Sequence, residues 1–238
     1  MEIQVDEVKI QLPSGQVIAG KWWGSKSVRP FICLHGWQDN AGSFDRLIPL
    51  LPRHFSYLAI DLPGHGRSTW LPDGAPYNTF DFIYPLYELV KELKFPKIGL
   101  MGHSMGSIVA FTFAALFPEL VDQMISTDSF KGIRRSLSER VSDLRMNVEY
   151  FNVVDKRNRE VKSPPAYSIS ELITKLYEGT FGNVTLESTP FILRRNVAPS
   201  STPGKFQFTR DGRLRLLPMI PYSEEILLQM AREISCPF

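Results

Sequence analysis

Only two cysteines, Cys33 and Cys236, occur in 238 residues. That is too few for a disulfide framework, and both read as reduced and structural. No apolar run reaches the ~20 residues that a membrane span requires, so none is expected. A formal charge of +2 without a long basic run leaves no electrostatic footprint for nucleic acid. Arg134-Arg135 reads as a solvated pair. The first residues, Met1 to Val8, alternate polar and apolar with acids early, the opposite of a basic-then-apolar signal peptide. Cytoplasm is therefore the expected location, and the sequon Asn183-Val184-Thr185 reads as accidental. There is no metal-ligand constellation, phosphate loop or dinucleotide fingerprint, so neither a metal nor a cofactor is expected. Histidine is scarce too: the four stand at positions 35, 54, 65 and 103.

What is present is 43% hydrophobic and 12% aromatic content, enough for a full core. The most informative stretch runs from Ile98 to Gly106. A short apolar strand leads into Gly102-His103-Ser104-Met105-Gly106, and the apolar residues from Ser107 to Phe117 fit a buried helix. Ser104 thus falls where a strand turns sharply into a helix, the arrangement of a nucleophile elbow. The flanking glycines leave room for the turn, and the helix start points free NH groups at whatever binds there. Taken alone, such a string also describes an ordinary strand-to-helix turn.

Ile3 to Leu12 and Gln16 to Trp23 alternate around Pro13-Ser14-Gly15 and predict a hairpin, with Trp22 and Trp23 as packing residues. Phe31 to Leu34 is a strand buried on both faces and ends in His35-Gly36-Trp37-Gln38-Asp39-Asn40. Ser43 to Leu51 has helical spacing, Ser56 to Ile60 is the next strand, and Thr79 to Leu93 a helix. His65, within Asp61 to Ser68, reads as satisfying local backbone groups. Val121 to Thr127 reads as another buried strand with Asp128 at its carboxyl end. This alternation implies an α/β fold with a parallel sheet.

From Ser129 to about Tyr222 charge, Pro and Ser dominate. One helix is well signalled, with a capping box at Ser168 and Glu171 and a stop at Gly179. Phe206 to Leu214 suggests a hairpin with an Asp211-Gly212 turn. A last helix, capped by Ser223, runs to Glu233. The organisation expected is a core over residues 1–129, an inserted lid over 130–222, and a return to the core over 223–238.

His35 to Asn40, Asp61 to Ser68, Gly102 to Gly106, Phe208-Thr209-Arg210-Asp211 and Ile234-Ser235-Cys236-Pro237 together resemble the α/β-hydrolase superfamily, and more closely its serine hydrolase-like family. The resemblance covers nearly the whole chain and departs at Ser107, where relatives often carry a second glycine. It implies an α/β-hydrolase fold, a mostly parallel sheet with helices on both faces and a helical lid. It also implies cleavage of a carboxylic ester or thioester by Ser104. The oxyanion donors would be the NH groups of Trp37 and Met105, supported by His35, Gly36, Gly102, His103 and Gly106, with Asp128 a candidate acid. Relatives have been linked to peroxisomes and perinuclear vesicles.

In this superfamily the triad runs Ser, acid, His along the chain, yet every histidine here precedes Ser104. Truncation before a seventh and an eighth strand is the expected explanation, with the general base absent. In that case Val121 to Thr127 would be a bare sheet edge. An alternative is a non-catalytic protein, either an isoform or a binder that holds a hydrophobic ligand under the lid. A serine at position 104 argues against chemistry through a carboxylate nucleophile, as in epoxide hydrolases and haloalkane dehalogenases. The expected substrate is a small hydrophobic ester or thioester; neither its identity nor the oligomeric state follows from the sequence.

Overall fold

The computed structural model describes residues 4–130, 137–160, 165–180, 182–216 and 222–238. Arg134 and Arg135 lie outside the described residues. A main sheet of six strands is formed by β1 (Val5–Gln11), β2 (Val17–Trp23), β3 (Pro30–Leu34), β4 (Ser56–Ile60), β5 (Ile98–His103) and β6 (Val121–Thr127). Their order is β1-β2-β4-β3-β5-β6. The hairpin β1/β2 and the β2/β4 pair are antiparallel; β4/β3, β3/β5 and β5/β6 are parallel.

The period-two pattern of β2 sends Trp22 and Trp23 to opposite faces, where each enters a separate cluster of buried side chains. The larger cluster is covered by α1 (Phe80–Leu93) and α2 (Met105–Leu116). Every residue of α2 from Met105 to Ala115 is buried. A helix apolar on all sides has to be enclosed, and α2 is flanked by β5, β6, α1 and the last helix, α6 (Glu224–Glu233). Ser107 is buried there without cost to its hydroxyl, which donates to Thr127 O at 3.1 Å and accepts from Thr127 NH at 3.3 Å. The residue that departs from the family pattern therefore ties the start of α2 to the end of β6.

Four elements lie between β6 and α6 in addition to short turns. They are α3 (Leu137–Glu160), α4 (Ile169–Gly179), α5 (Thr189–Asn196) and a two-stranded antiparallel ribbon of β7 (Val197–Pro199) and β8 (Phe206–Phe208). The capping box of α4 forms as the sequence predicts, and Ser223 Oγ caps α6 through Ile226 NH.

The expectation that the fold is cut off before a seventh and an eighth strand is overturned. Both strands form, paired with each other in the ribbon, and the C-terminal segment packs onto the core. Cys236 is buried, Met124 NH on β6 donates to Pro237 O at 3.1 Å, and the rings of Phe238 and Phe130 stack at 4.9 Å. The outer edge of β6 is therefore met by the chain's own last residues rather than left bare. As the strand at the end of the sheet order, β6 is only half buried, with Gln123, Ile125 and Thr127 exposed.

Two smaller expectations also change. The segment from Ser43 to Leu51 forms two short 3₁₀ turns, Ala41–Phe44 and Ile48–Leu50, and the first is capped by Asn40. Asp211-Gly212 is not a hairpin turn. Asp211 instead caps the turn Gly212–Arg215, because its carboxylate is held by Arg213 and Tyr77.

Candidate active site

Ser104 sits between β5 and α2 with φ +50° and ψ −116°, a conformation that L residues rarely adopt. Its NH is fixed by Thr127 O at 3.0 Å. The neighbouring glycines are required by space. A methyl group on Gly106 would overlap the carbonyl oxygen of Leu34, and one on Gly102 would overlap the backbone of Ser107. Close approach of strand, elbow and helix thus forces the Gly-x-Ser-x-Gly spacing and leaves Ser104 half-buried at the carboxyl end of the sheet.

The loop after β3 presses directly on this elbow. A methyl on Gly36 would lie 2.9 Å from His103 Nδ1 and 3.6 Å from Ser104 Cβ. Gly36 O accepts from Asp39 NH, closing a tight turn that passes through Gln38 at φ +60°. The Trp37 NH makes no hydrogen bond among the described residues. Met105 NH is the first of α2 and has no helical acceptor.

Two buried histidines hold the turn. His35 Nδ1 donates to Gly36 O at 2.7 Å, and its Nε2 accepts from Leu62 NH at 3.0 Å. His65 Nδ1 donates to Pro63 O, and its Nε2 accepts from Gln38 NH at 3.1 Å. Each ring therefore carries its proton on Nδ1 and is neutral. Burial pushes both below the ordinary histidine range, His65 further than His35. His35 bonds to the loop at its base and to the Asp61–Leu62 segment beside it. His65 does satisfy backbone groups, but one of them is Gln38, next to Trp37. Its position between two glycines gave no sign of that role.

Sequence reasoning also missed the buried ion cluster behind the loop. Asp61 is fully buried; its Oδ1 accepts from Ala41 NH and its Oδ2 from Arg67 NH. Arg195 of α5, 3% exposed, donates to the same carboxylate at 2.7 Å and also to Glu7 on β1. Burial opposes the Arg195 charge, but the hydrogen bonds and charges of Asp61 and Glu7 outweigh it and raise its pKa. Gln38 Nε2 donates to Leu214 O at 2.9 Å and links the turn to the segment after β8.

A pocket of about 300 Å³ opens beside the elbow. Asp39, Phe44, Leu47, His103, Phe191 and Ile192 are among its walls, and its surface is mainly apolar. Asp39 Oδ1 is buried without a partner among the described residues, and desolvation raises the pKa of that carboxyl despite the nearby His35. His103 is exposed on the pocket wall. Asp128, at φ +70° just beyond β6, is exposed and has no hydrogen bond or ion pair among the described residues. No histidine is hydrogen-bonded to Ser104 Oγ among the described residues. His54 packs on Phe55, ahead of β4 and away from the carboxyl end of the sheet. Among the described residues no group of three or more His, Cys, Asp or Glu side chains is placed to hold a metal, and no helix is long and apolar enough to cross a membrane.

The alpha/beta hydrolase fold family profile matches residues 29–161. A Drosophila melanogaster protein named "Probable serine hydrolase" is 36% identical over 236 residues, covering 97% of this chain and 69% of that protein. Human "Serine hydrolase-like protein 2" is 46% identical over 214 residues, 88% of this chain and 65% of its own length. The chain thus spans about two thirds of the length of these curated relatives. Among solved structures, a hypothetical protein of Pseudomonas aeruginosa PAO1 superposes with a TM-score of 0.83 at 28% identity, covering 98% of this chain and 79% of that one. The thioesterase domain from the curacin biosynthetic pathway, at 21% identity and a TM-score of 0.77 over 98% of this chain and 80% of that one, shares the fold. The chain belongs to the α/β-hydrolase fold family and, within it, to the serine hydrolase-like proteins, a class of hydrolytic enzymes.

Proposed function

We propose that the chain cleaves a carboxylic ester or thioester through an acyl-enzyme on Ser104. The observation that carries this reading is the backbone of Ser104 itself, held at φ +50° between two glycines whose Cβ atoms would collide with neighbouring backbone. A strained residue persists only where its surroundings over-determine it, and such strain concentrates at functional sites.

In the reaction, Ser104 Oγ attacks the acyl carbonyl as its proton passes to an ionisable group lining the pocket, and the developing oxyanion is met by the NH groups of Trp37 and Met105. Loss of one such donor typically lowers the rate ~10²- to 10³-fold. Collapse of the oxyanion breaks the ester C–O or thioester C–S bond, releasing the alcohol or thiol with that proton and leaving the acyl group on Ser104 for water to hydrolyse. His35 and His65 act at one remove by fixing the turn that presents Trp37 NH. Neither can take the Ser104 proton, since both nitrogens of each ring are engaged by backbone groups. His103 and Asp39 line the pocket beside Ser104, and Asp128, just beyond β6, stays in this proposal as the acid. The mainly apolar pocket beside His103 suits the acyl portion of a small hydrophobic substrate. α5 serves as part of its lid, since Phe191 and Ile192 close one wall.

The test is a panel of short- and medium-chain p-nitrophenyl esters and acyl thioesters with wild type, Ser104→Ala, His103→Gln and Asp128→Asn. Turnover lost in Ser104→Ala supports the reading, and the pH profiles of the other two variants assign the proton acceptor. Turnover unchanged by Ser104→Ala overturns it.

A further inference from the structure

A second cavity, of about 420 Å³, lies between α3, the segment around Trp70 and the residues from β8 to Arg215. Its walls include Trp70, Tyr150 and Tyr167, and three arginines, Arg157, Arg210 and Arg215, face it against the single carboxylate of Asp73. The other acids nearby are already engaged. Asp211 accepts from Arg213, Tyr77 and Asn158, and Asp155 pairs with Arg159 and lies 4.0 Å from Arg213. Arg213 has its donors filled by Asp211 and the carbonyls of Leu71, Pro72 and Ala75.

Arg210 is different. Its guanidinium lies 4.5 Å from the centre of the Phe208 ring, is partly buried, and has no hydrogen bond or ion pair among the described residues. Burial and the neighbouring Arg215 push it down to about 10, the response of a cation lacking a counter-charge. A desolvated guanidinium with five donors and no acceptor is costly unless an anion completes it. The contact with Phe208 leaves its donor fork free for bidentate contact with a phosphate or carboxylate.

We propose that this cavity is an anion-binding site, separate from Ser104, in which Arg210 with Arg157 and Arg215 holds the phosphate or carboxylate of a small ligand whose planar body packs among Trp70, Tyr150 and Tyr167. It does not depend on the reading of Ser104, because binding is measured without turnover.

Titration calorimetry at low ionic strength with phenyl phosphate and with inorganic phosphate tests the site in wild type, Arg210→Gln and Arg29→Gln. Arg29 pairs with Asp122 elsewhere and serves as the charge-matched control. Phenyl phosphate should bind wild type and Arg29→Gln alike and bind Arg210→Gln about tenfold or more weakly, as removal of a charged hydrogen-bond donor predicts. Tighter binding of phenyl phosphate than of inorganic phosphate supports an anion carried by an organic ligand, and equal binding supports free phosphate. No binding to wild type, or equal binding in Arg210→Gln, overturns the site. A cooperative thermal transition of Arg210→Gln close to the wild-type midpoint shows that the variant is folded, since the contact with Phe208 is the one it gives up.

Discussion

Replacing Arg195 by methionine removes the cation from a carboxylate that is 0% exposed and leaves the Asp61 charge buried without a counter-ion. Breaking a buried pair from one side typically costs about 3–5 kcal/mol. Asp61 keeps its bonds from Ala41 NH and Arg67 NH, so a loss of about 3 kcal/mol, at the low end of that range, is expected. The lost contact to half-exposed Glu7 adds no more than about 1 kcal/mol. For a domain of this size each kcal/mol moves the melting midpoint by about 2–4 °C, which gives a drop of roughly 10 °C. Urea denaturation of wild type, Arg195→Met, Asp61→Asn and the double variant measures it. The double variant should recover half or more of the Arg195→Met loss, because it no longer buries an unpaired charge. A single-variant loss below about 1 kcal/mol, or strictly additive losses, would refute the view that this pair anchors α5 to the sheet.

Acidification should destabilise the fold through His35 and His65. Their folded-state pKa values are lowered, so as pH falls below the unfolded value of about 6.5 the unfolded chain takes up protons that the native rings refuse. Stability is then lost at up to about 1.4 kcal/mol per pH unit for each ring, and urea midpoints that stay flat between pH 7.5 and 5.5 would contradict this. Ser104→Gly relieves a positive φ and should raise stability by about 1 kcal/mol while abolishing turnover; a lower melting point would count against strain at the elbow. Gly106→Ala places a methyl on Leu34 O and should leave little folded protein, read as lost cooperativity in thermal melting. Gln38→Leu cuts the link to Leu214 O and should lower kcat more than it lowers the melting midpoint, since the bond sits on the loop presenting Trp37 NH.

The elbow was legible because sterics dictate it. Only glycine fits at positions 102 and 106, and the strand and helix around them are apolar enough to be unmistakable. The sheet through β6 was legible for a similar reason, with local alternation or continuous apolar runs marking each strand. α3 gave no comparable signal: Val141, Leu144, Met146, Val148 and Val153 are all exposed, and Val154 and Asp155 are the buried ones among its described side chains. No stripe faces the core for periodicity to find. The ribbon β7/β8 was missed because Asp211-Gly212 looks like a hairpin turn until the Asp211 carboxylate is seen to be occupied by Tyr77, 134 positions away. The roles of Arg195 and His65 are hidden in the same way, since their partners Asp61 and Gln38 are distant in sequence and brought close by the sheet.

Active-site labelling with a fluorophosphonate probe, followed by peptide mass spectrometry, reads out directly whether Ser104 is the nucleophile. A single adduct is expected on Ser104, absent from Ser104→Ala and blocked by prior denaturation. A folded protein that takes up no probe at Ser104, or labels equally in the alanine variant, would contradict the assignment of Ser104 as nucleophile.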